Sequence, residues 1–166
     1  MAKDQWFIKV QPLAQQTIEH LEAGDITFYP ASKKKELVAY LGQLRDWNIS
    51  RQIPWGIPIP AFVNEHDEND WIFDTRVDEK HIVVNNTTYI REEDTFDTWF
   101  SSGQWPYIVT DYLDEGELAR FFPTSLMETG KDLLRQWIAR MIMLSLYRTG
   151  EVPFRDVYMH GMVNDE

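Results

Sequence analysis

The chain has 166 residues, with 43% hydrophobic and 14% aromatic, and its 16 basic and 27 acidic side chains give a formal net charge of −11. That length and apolar content suit a single globular domain with a sizeable core and exclude disorder, while the lack of cysteine excludes disulfides and thiolate metal sites. A protein that grips a nucleic-acid backbone unaided carries a basic face, so the acidic balance predicts weak autonomous nucleic-acid binding at most.

Residues 12–23 (PLAQQTIEHLEA) place Pro12 in a first turn, set Leu13, Ile18 and Leu21 at helical spacing, and stop at Gly24, which predicts a helix. ITFYP (26–30) alternates as a short strand. Ser32 is an N-cap candidate for a second helix over about 33–45, with Leu37, Tyr40, Leu41 and Leu44 on one face. The basic run Lys33-Lys34-Lys35 reads as the solvated start of that helix. In DWNISRQIPWGIPIPAF (46–62), Pro54, Pro58 and Pro60 hold the chain out of any helix, with Trp55 and Gly56 locked between the first two.

NEHDEND (64–70) reads as an acidic loop, followed by strands at 71–77 and 81–90. An Asn85-Asn86 pair inside the latter marks a hairpin turn, because asparagine tolerates positive φ. Residues 61–92 thus form a small β-rich insertion in a single domain spanning 1–166. The aromatic stretch 92–113 follows, and PYIVTDYL within it is expected to include a buried strand. Asp94 and Asp97, three apart in that stretch, read as solvated or capping carboxylates, and His66 and His81 lack any metal-ligand pattern.

The C-terminal third has the clearest grammar. SLMETG (125–130) is a strand, and 131–150 is a helix with Leu134, Trp137, Ile138, Met141, Ile142 and Ser145 on one stripe, stopped by Gly150. FRDVYMHG (154–161) is the next strand. Strand, helix, strand predicts an α/β fold with parallel, right-handed pairing, and ligands of such sheets sit at the carboxyl ends of the strands. Those ends are Thr129-Gly130 and His160-Gly161, with Asp132 opening the helix. No apolar run reaches the about 18–20 residues of a membrane span, and MAKDQWFIKV lacks the form of a signal peptide, so no membrane partner and a cytoplasmic location are expected.

Four stretches, in order, resemble the valyl-tRNA synthetases, class I aminoacyl-tRNA synthetases of the isoleucine–leucine–valine group. DQWFIKVQPLA (4–14) is similar to the return from the editing domain, and DWNISRQIPWGIPIP (46–60) to the group's W-C-I-S-R-Q…W-G…I-P element, with Asn48 in place of the commoner cysteine. EEDTFDTWFSSGQWPY (92–107) resembles the valine enzymes' D-T-W-F-S-S-x-x-W-P. Residues 123–163 resemble the stretch leading to the Lys-Met-Ser-Lys-Ser loop. Ser101-Ser102 and the turn TGKDL (129–133) favour valine over the isoleucine enzymes, which typically read D-V-W-F-D-S-G and E-G-S-D-Q there.

The resemblance implies an incomplete Rossmann-like catalytic domain, its C-terminal half, since the His-Ile-Gly-His signature, the Lys-Met-Ser-Lys-Ser loop and the editing and anticodon domains match nothing in this sequence. It implies Trp55, Leu133 and Trp137 as walls of a valine pocket, and Thr129, Gly130, Asp132, His160, Gly161 and Met162 as contacts for ATP and the adenylate. Arg51 and Gln52 stay open between orienting the pocket and meeting the tRNA acceptor end. No catalytic residue and no zinc are assigned to this chain. ATP with Mg²⁺, valine and tRNA(Val) are the implied ligands of the complete enzyme, with the isolated chain expected to be inactive. The alternatives are an isoleucyl-tRNA synthetase fragment and a non-catalytic synthetase-derived binding module. Self-association through the open edge of a half sheet is the further expectation.

Overall fold

A computed structural model describes residues 4–162, and their contacts divide them into two units: residues up to Trp6 with Asn48–Thr98, and Phe7–Trp47 with Trp99 onward. In chain order the first elements are β1 (Phe7–Ile8), α1 (Gln11–Ala23), β2 (Thr27–Tyr29), α2 (Ser32–Leu41), β3 (Trp47–Asn48) and β4 (Ser50–Arg51). Next come β5 (Ala61–Asn64), β6 (Asp67–Phe73), β7 (His81–Val84), β8 (Thr87–Arg91) and β9 (Thr95–Phe96). The chain ends with α3 (Thr98–Ser102), α4 (Trp105–Val109), β10 (Thr124–Gly130), α5 (Ala139–Thr149) and β11 (Phe154–His160).

In the larger unit, β10, β11 and β2 form a three-stranded parallel sheet with β11 in the middle. Side chains alternate across such a sheet. The row Met127–Val157–Phe28 is buried, whereas the row Glu128–Tyr158–Tyr29 on the opposite face is exposed. α1 packs on α2 and α5, and α4 packs on α5. All six residues from Met141 to Leu146 are buried, because helices cover α5 on more than one side. Gly150, at φ 76°, ends α5 in the left-handed region that glycine enters without strain.

In the smaller unit, β6, β5, β8 and β7 make an antiparallel sheet in that order. Its buried cluster is Phe62, Ile82 and Tyr89, with Ile72 and Val84 packed against it. Asn85 and Asn86 both have positive φ, 50° and 63°, so the turn between β7 and β8 is the type that the Asn-Asn pair predicts.

Three local expectations are corrected. The acidic run 64–70 is not a loop: Asp67–Asp70 begin β6, an edge strand whose side chains meet water on both faces and therefore tolerate charge. The expected strand in PYIVTDYL is α4 followed by a 3-10 turn, with Pro106 suited to a first helical turn and Thr110 Oγ1 donating back to Pro106 O at 2.8 Å. Ser32 is not an N-cap but the first residue of α2, preceded by Ala31, and no side chain caps that end.

Candidate functional site

The parallel register sets the polar edge of the larger unit. Thr129 pairs with Met159 and Gly130 with His160, so both strands end at the same level, and Gly161 and Met162 continue exposed from β11. β10 runs straight into a 3-10 turn, Lys131–Leu133, which brings Asp132 back over the strand end. A Cβ on Gly130 would lie 2.6 Å from Asp132 Oδ1 and 3.6 Å from His160 Cε1. Glycine thus leaves room for the exposed Asp132 carboxylate, which a larger residue would displace, while φ is an ordinary −61°. His160 Nδ1 donates to Gly161 O at 2.6 Å, and its Nε2 lies 3.3 Å from Glu128 Oε1. The sheet edge therefore gathers Thr129, Gly130, Asp132 and His160, with one carboxylate at the head of a helical segment where the backbone dipole favours negative charge.

Beyond Asp132 the helix of the sequence reading is composite: a 3-10 turn, then a π turn at Leu134–Ile138, then α5. Leu134 and Ile138 are buried, while Leu133 and Trp137 are half-buried. Trp137 Nε1 donates to Ser102 O at 3.1 Å. With its only polar atom engaged, the indole of Trp137 offers its surroundings apolar surface alone. Ser102 as that acceptor was not foreseen, although it lies in the DTWFSS stretch. Nearby, Trp47 packs edge-on to Phe100 at 6.0 Å, and the Arg140 guanidinium sits 4.0 Å over the Trp47 ring.

Trp55, Arg51 and Gln52 belong to the smaller unit. Trp55 is 78% exposed, so it is no core residue of that unit. Asp94 and Asp97 are buried, not solvated: Gln52 Nε2 donates to Asp94 Oδ2 at 2.6 Å and Arg51 Nη2 to Asp97 Oδ2 at 2.8 Å. Both carboxylates escaped the sequence reading because their partners lie more than forty residues away. Among the described residues no cluster of His, Asp or Glu could hold a metal ion, and no helix is long and apolar enough to cross a membrane.

Solved structures share this fold. Mycobacterium tuberculosis methionyl-tRNA synthetase bound by methionyl-adenylate superposes with a TM-score of 0.68 at 21% identity, over 98% of this chain and 27% of that one. A ternary complex of Agrobacterium radiobacter LeuRS with tRNA and LeuAMS gives 0.55 at 20% identity, over 81% and 23%. The fold is that of the class I synthetases, mixed α/β with a parallel sheet. The family model for tRNA synthetases class I (I, L, M and V) matches residues 1–166, and the chain belongs to that family. Among curated relatives, the valine–tRNA ligase of Treponema denticola is 42% identical over 164 residues, 98% of this chain and 18% of the relative. That of Petrotoga mobilis is 40% identical over 166 residues, 98% and 19%. The chain thus spans under a fifth of the length of these relatives.

Proposed function

We propose that this chain supplies the valine pocket and part of the adenylate site of a valine–tRNA ligase. The observation that carries this reading is 42% identity to a valine–tRNA ligase over 98% of the chain. The complete enzyme would join valine to tRNA(Val) at the expense of ATP, with Mg²⁺ supplying charge neutralisation on the phosphates.

In this reading Asp132 accepts the two ribose hydroxyls, Gly130 leaves the space into which its carboxylate folds, and Thr129, His160, Gly161 and Met162 border the base. Its exposure at the strand end, beside the space that Gly130 leaves open, supports Asp132 as an acceptor that a ligand can reach. Leu133 and Trp137 take the role of walls for the amino-acid side chain, and the resemblance gives Trp55 the same role. Rigid apolar walls select by shape. They discriminate by about 1–3 kcal/mol per methylene and barely reject an isostere that carries a hydroxyl. The chemistry needs no nucleophilic side chain here, because the valine carboxylate itself attacks phosphorus, and positioning and charge stabilisation do the rest. With a formal charge of −11, residues 1–166 alone would bind tRNA weakly.

The test is valine-dependent exchange of pyrophosphate into ATP. Residues 1–166 alone are expected to be inactive, and activity is expected to return on adding the flanking parts of a valine–tRNA ligase that carry the His-Ile-Gly-His signature and the Lys-Met-Ser-Lys-Ser loop. Exchange driven by isoleucine instead of valine sinks the valine assignment. No exchange with either amino acid, from a co-eluting set of pieces that includes both signatures, sinks the catalytic reading in favour of a binding module.

A further inference from the structure

The segment carrying Trp55 leaves and rejoins the same strand on its two sides. β9 pairs antiparallel with β4, through Ser50 opposite Phe96 and Arg51 opposite Thr95. On its other side it bridges antiparallel to Pro58, with Phe96 N donating to Ile57 O at 2.8 Å and Ile59 N to Asp94 O at 3.3 Å. β4 and residues 57–59 are both antiparallel to β9, so they run in the same direction. Residues 52–56 must therefore cross back over β9 between them.

The crossing point is Gly56. A Cβ there would lie 2.8 Å from both Cβ and Oγ1 of Thr95, and φ is +151°. Only glycine lets the backbone pass this close. Trp55, the neighbouring residue, is lifted off the crossing into solvent. Just before the loop departs, two side chains tie β4 to the strand being crossed. Arg51 reaches Asp97, which is buried, with Nη2, and donates from Nη1 to Asn48 O at 3.1 Å and Ser50 O at 2.8 Å. Three of the five N–H donors of its guanidinium are therefore engaged inside the unit. Gln52 Nε2 binds Asp94, itself 1% exposed.

We infer that Arg51 is a positioning residue for Trp55: through Asp97, and with the Gln52–Asp94 tie beside it, it fixes where the loop leaves β4 and hence where Trp55 stands next to the Gly56 crossing. This deepens the proposed function, because it rests on Trp55 being a wall of the amino-acid pocket. The fork matters as much as the charge, since the guanidinium holds a carboxylate and two carbonyls at once and an ammonium reproduces only the charge.

The test is ¹⁹F NMR of the 166-residue chain labelled with 5-fluorotryptophan, which places one reporter on each of the seven tryptophans; Trp55→Phe identifies the signal of interest. In Arg51→Met the Trp55 signal is expected to move toward that of free 5-fluorotryptophan, with the Phe96 amide exchanging about tenfold faster, while the Trp47 and Trp137 signals hold. Arg51→Lys is expected to lie between wild type and Arg51→Met. An unchanged Trp55 signal and Phe96 exchange in both variants overturn the proposal. So does a uniform shift of all seven signals in Arg51→Lys, which marks a general role in the fold. If Arg51→Met does not fold, Asp97→Asn takes its place in the comparison. None of these readouts needs valine. Should Trp55→Phe leave valine-dependent exchange of the reconstituted enzyme intact, the pocket reading fails while the positioning result stands or falls on the NMR.

Discussion

Tyr107 shows how one residue's surroundings set its chemistry. It is buried on α4, and that burial pushes its phenol from an ordinary 10.0 up to about 12, against a smaller opposing pull from the positive charge of Arg148. Burial disfavours the phenolate, so the native state holds the proton more tightly than the unfolded chain does. The stability this confers is fully present below pH 10 and is lost as pH rises through 10 toward 12. Hydrogen bonds to Asp70 and Glu151 also raise Tyr89 and Tyr112, so an ultraviolet titration should show a lagging fraction among the seven tyrosines, and Tyr107→Phe should remove its most alkaline part. A single transition near 10 for all seven would contradict the burial. Asp97 makes the complementary point. A carboxylate in an aromatic loop reads as solvated or capping from sequence, and only the folded chain brings a guanidinium to it.

At the scale of elements, the composite helix from Lys131 to Thr149 is the informative case. Its apolar periodicity is visible in the sequence, and its stripe residues Leu134, Ile138, Met141, Ile142 and Ser145 are all buried. Periodicity averages over turns, however, and cannot register the extra residue of the π turn at Leu134–Ile138. That turn leaves Trp137 half-buried with its N–H on Ser102 O instead of fully in the core. Within α5, Ser145 is fully buried and its hydroxyl has no hydrogen-bond partner among the described residues. A buried hydroxyl without a partner is a cost that alanine removes while also favouring the helix. Ser145→Ala is expected to stabilise the chain by about 1 kcal/mol, raising Tm by roughly 2–4 °C. A loss of stability on calorimetry would show that the hydroxyl has a partner in solution.

For the molecule as a whole, the parallel sheet presents one uncovered face. Leu126, Tyr158 and Tyr29 on it are 56%, 50% and 48% exposed, and β10 and β2 are its outer strands. Apolar sheet surface of this kind is a site for association. Residues 1–166 are expected to self-associate as concentration rises in sedimentation velocity, and Leu126→Glu with Tyr158→Glu to weaken that association. A strictly monomeric wild type at high concentration would remove the expectation. The formal charge of −11 opposes the contact at long range, so added salt should strengthen it.

The parallel β10–β11 pair, the strand at Thr27–Tyr29, helix α1 and the Asn85-Asn86 hairpin were all legible in the sequence, because each rests on local periodicity or on a turn residue whose backbone preference acts within a few positions. The motif DWNISRQIPWGIPIP and its companions pointed to the synthetase family in the same local way, through residues read in order. What the amino-acid order could not display were contacts between distant segments: the edge position that makes an acidic run a strand, and the carboxylates behind Arg51 and Gln52. Gly56 belongs to both. The prolines around it announced a rigid turn from sequence alone, but the reason it must be glycine is the Thr95 side chain beneath the crossing, a contact that exists only once the chain has folded.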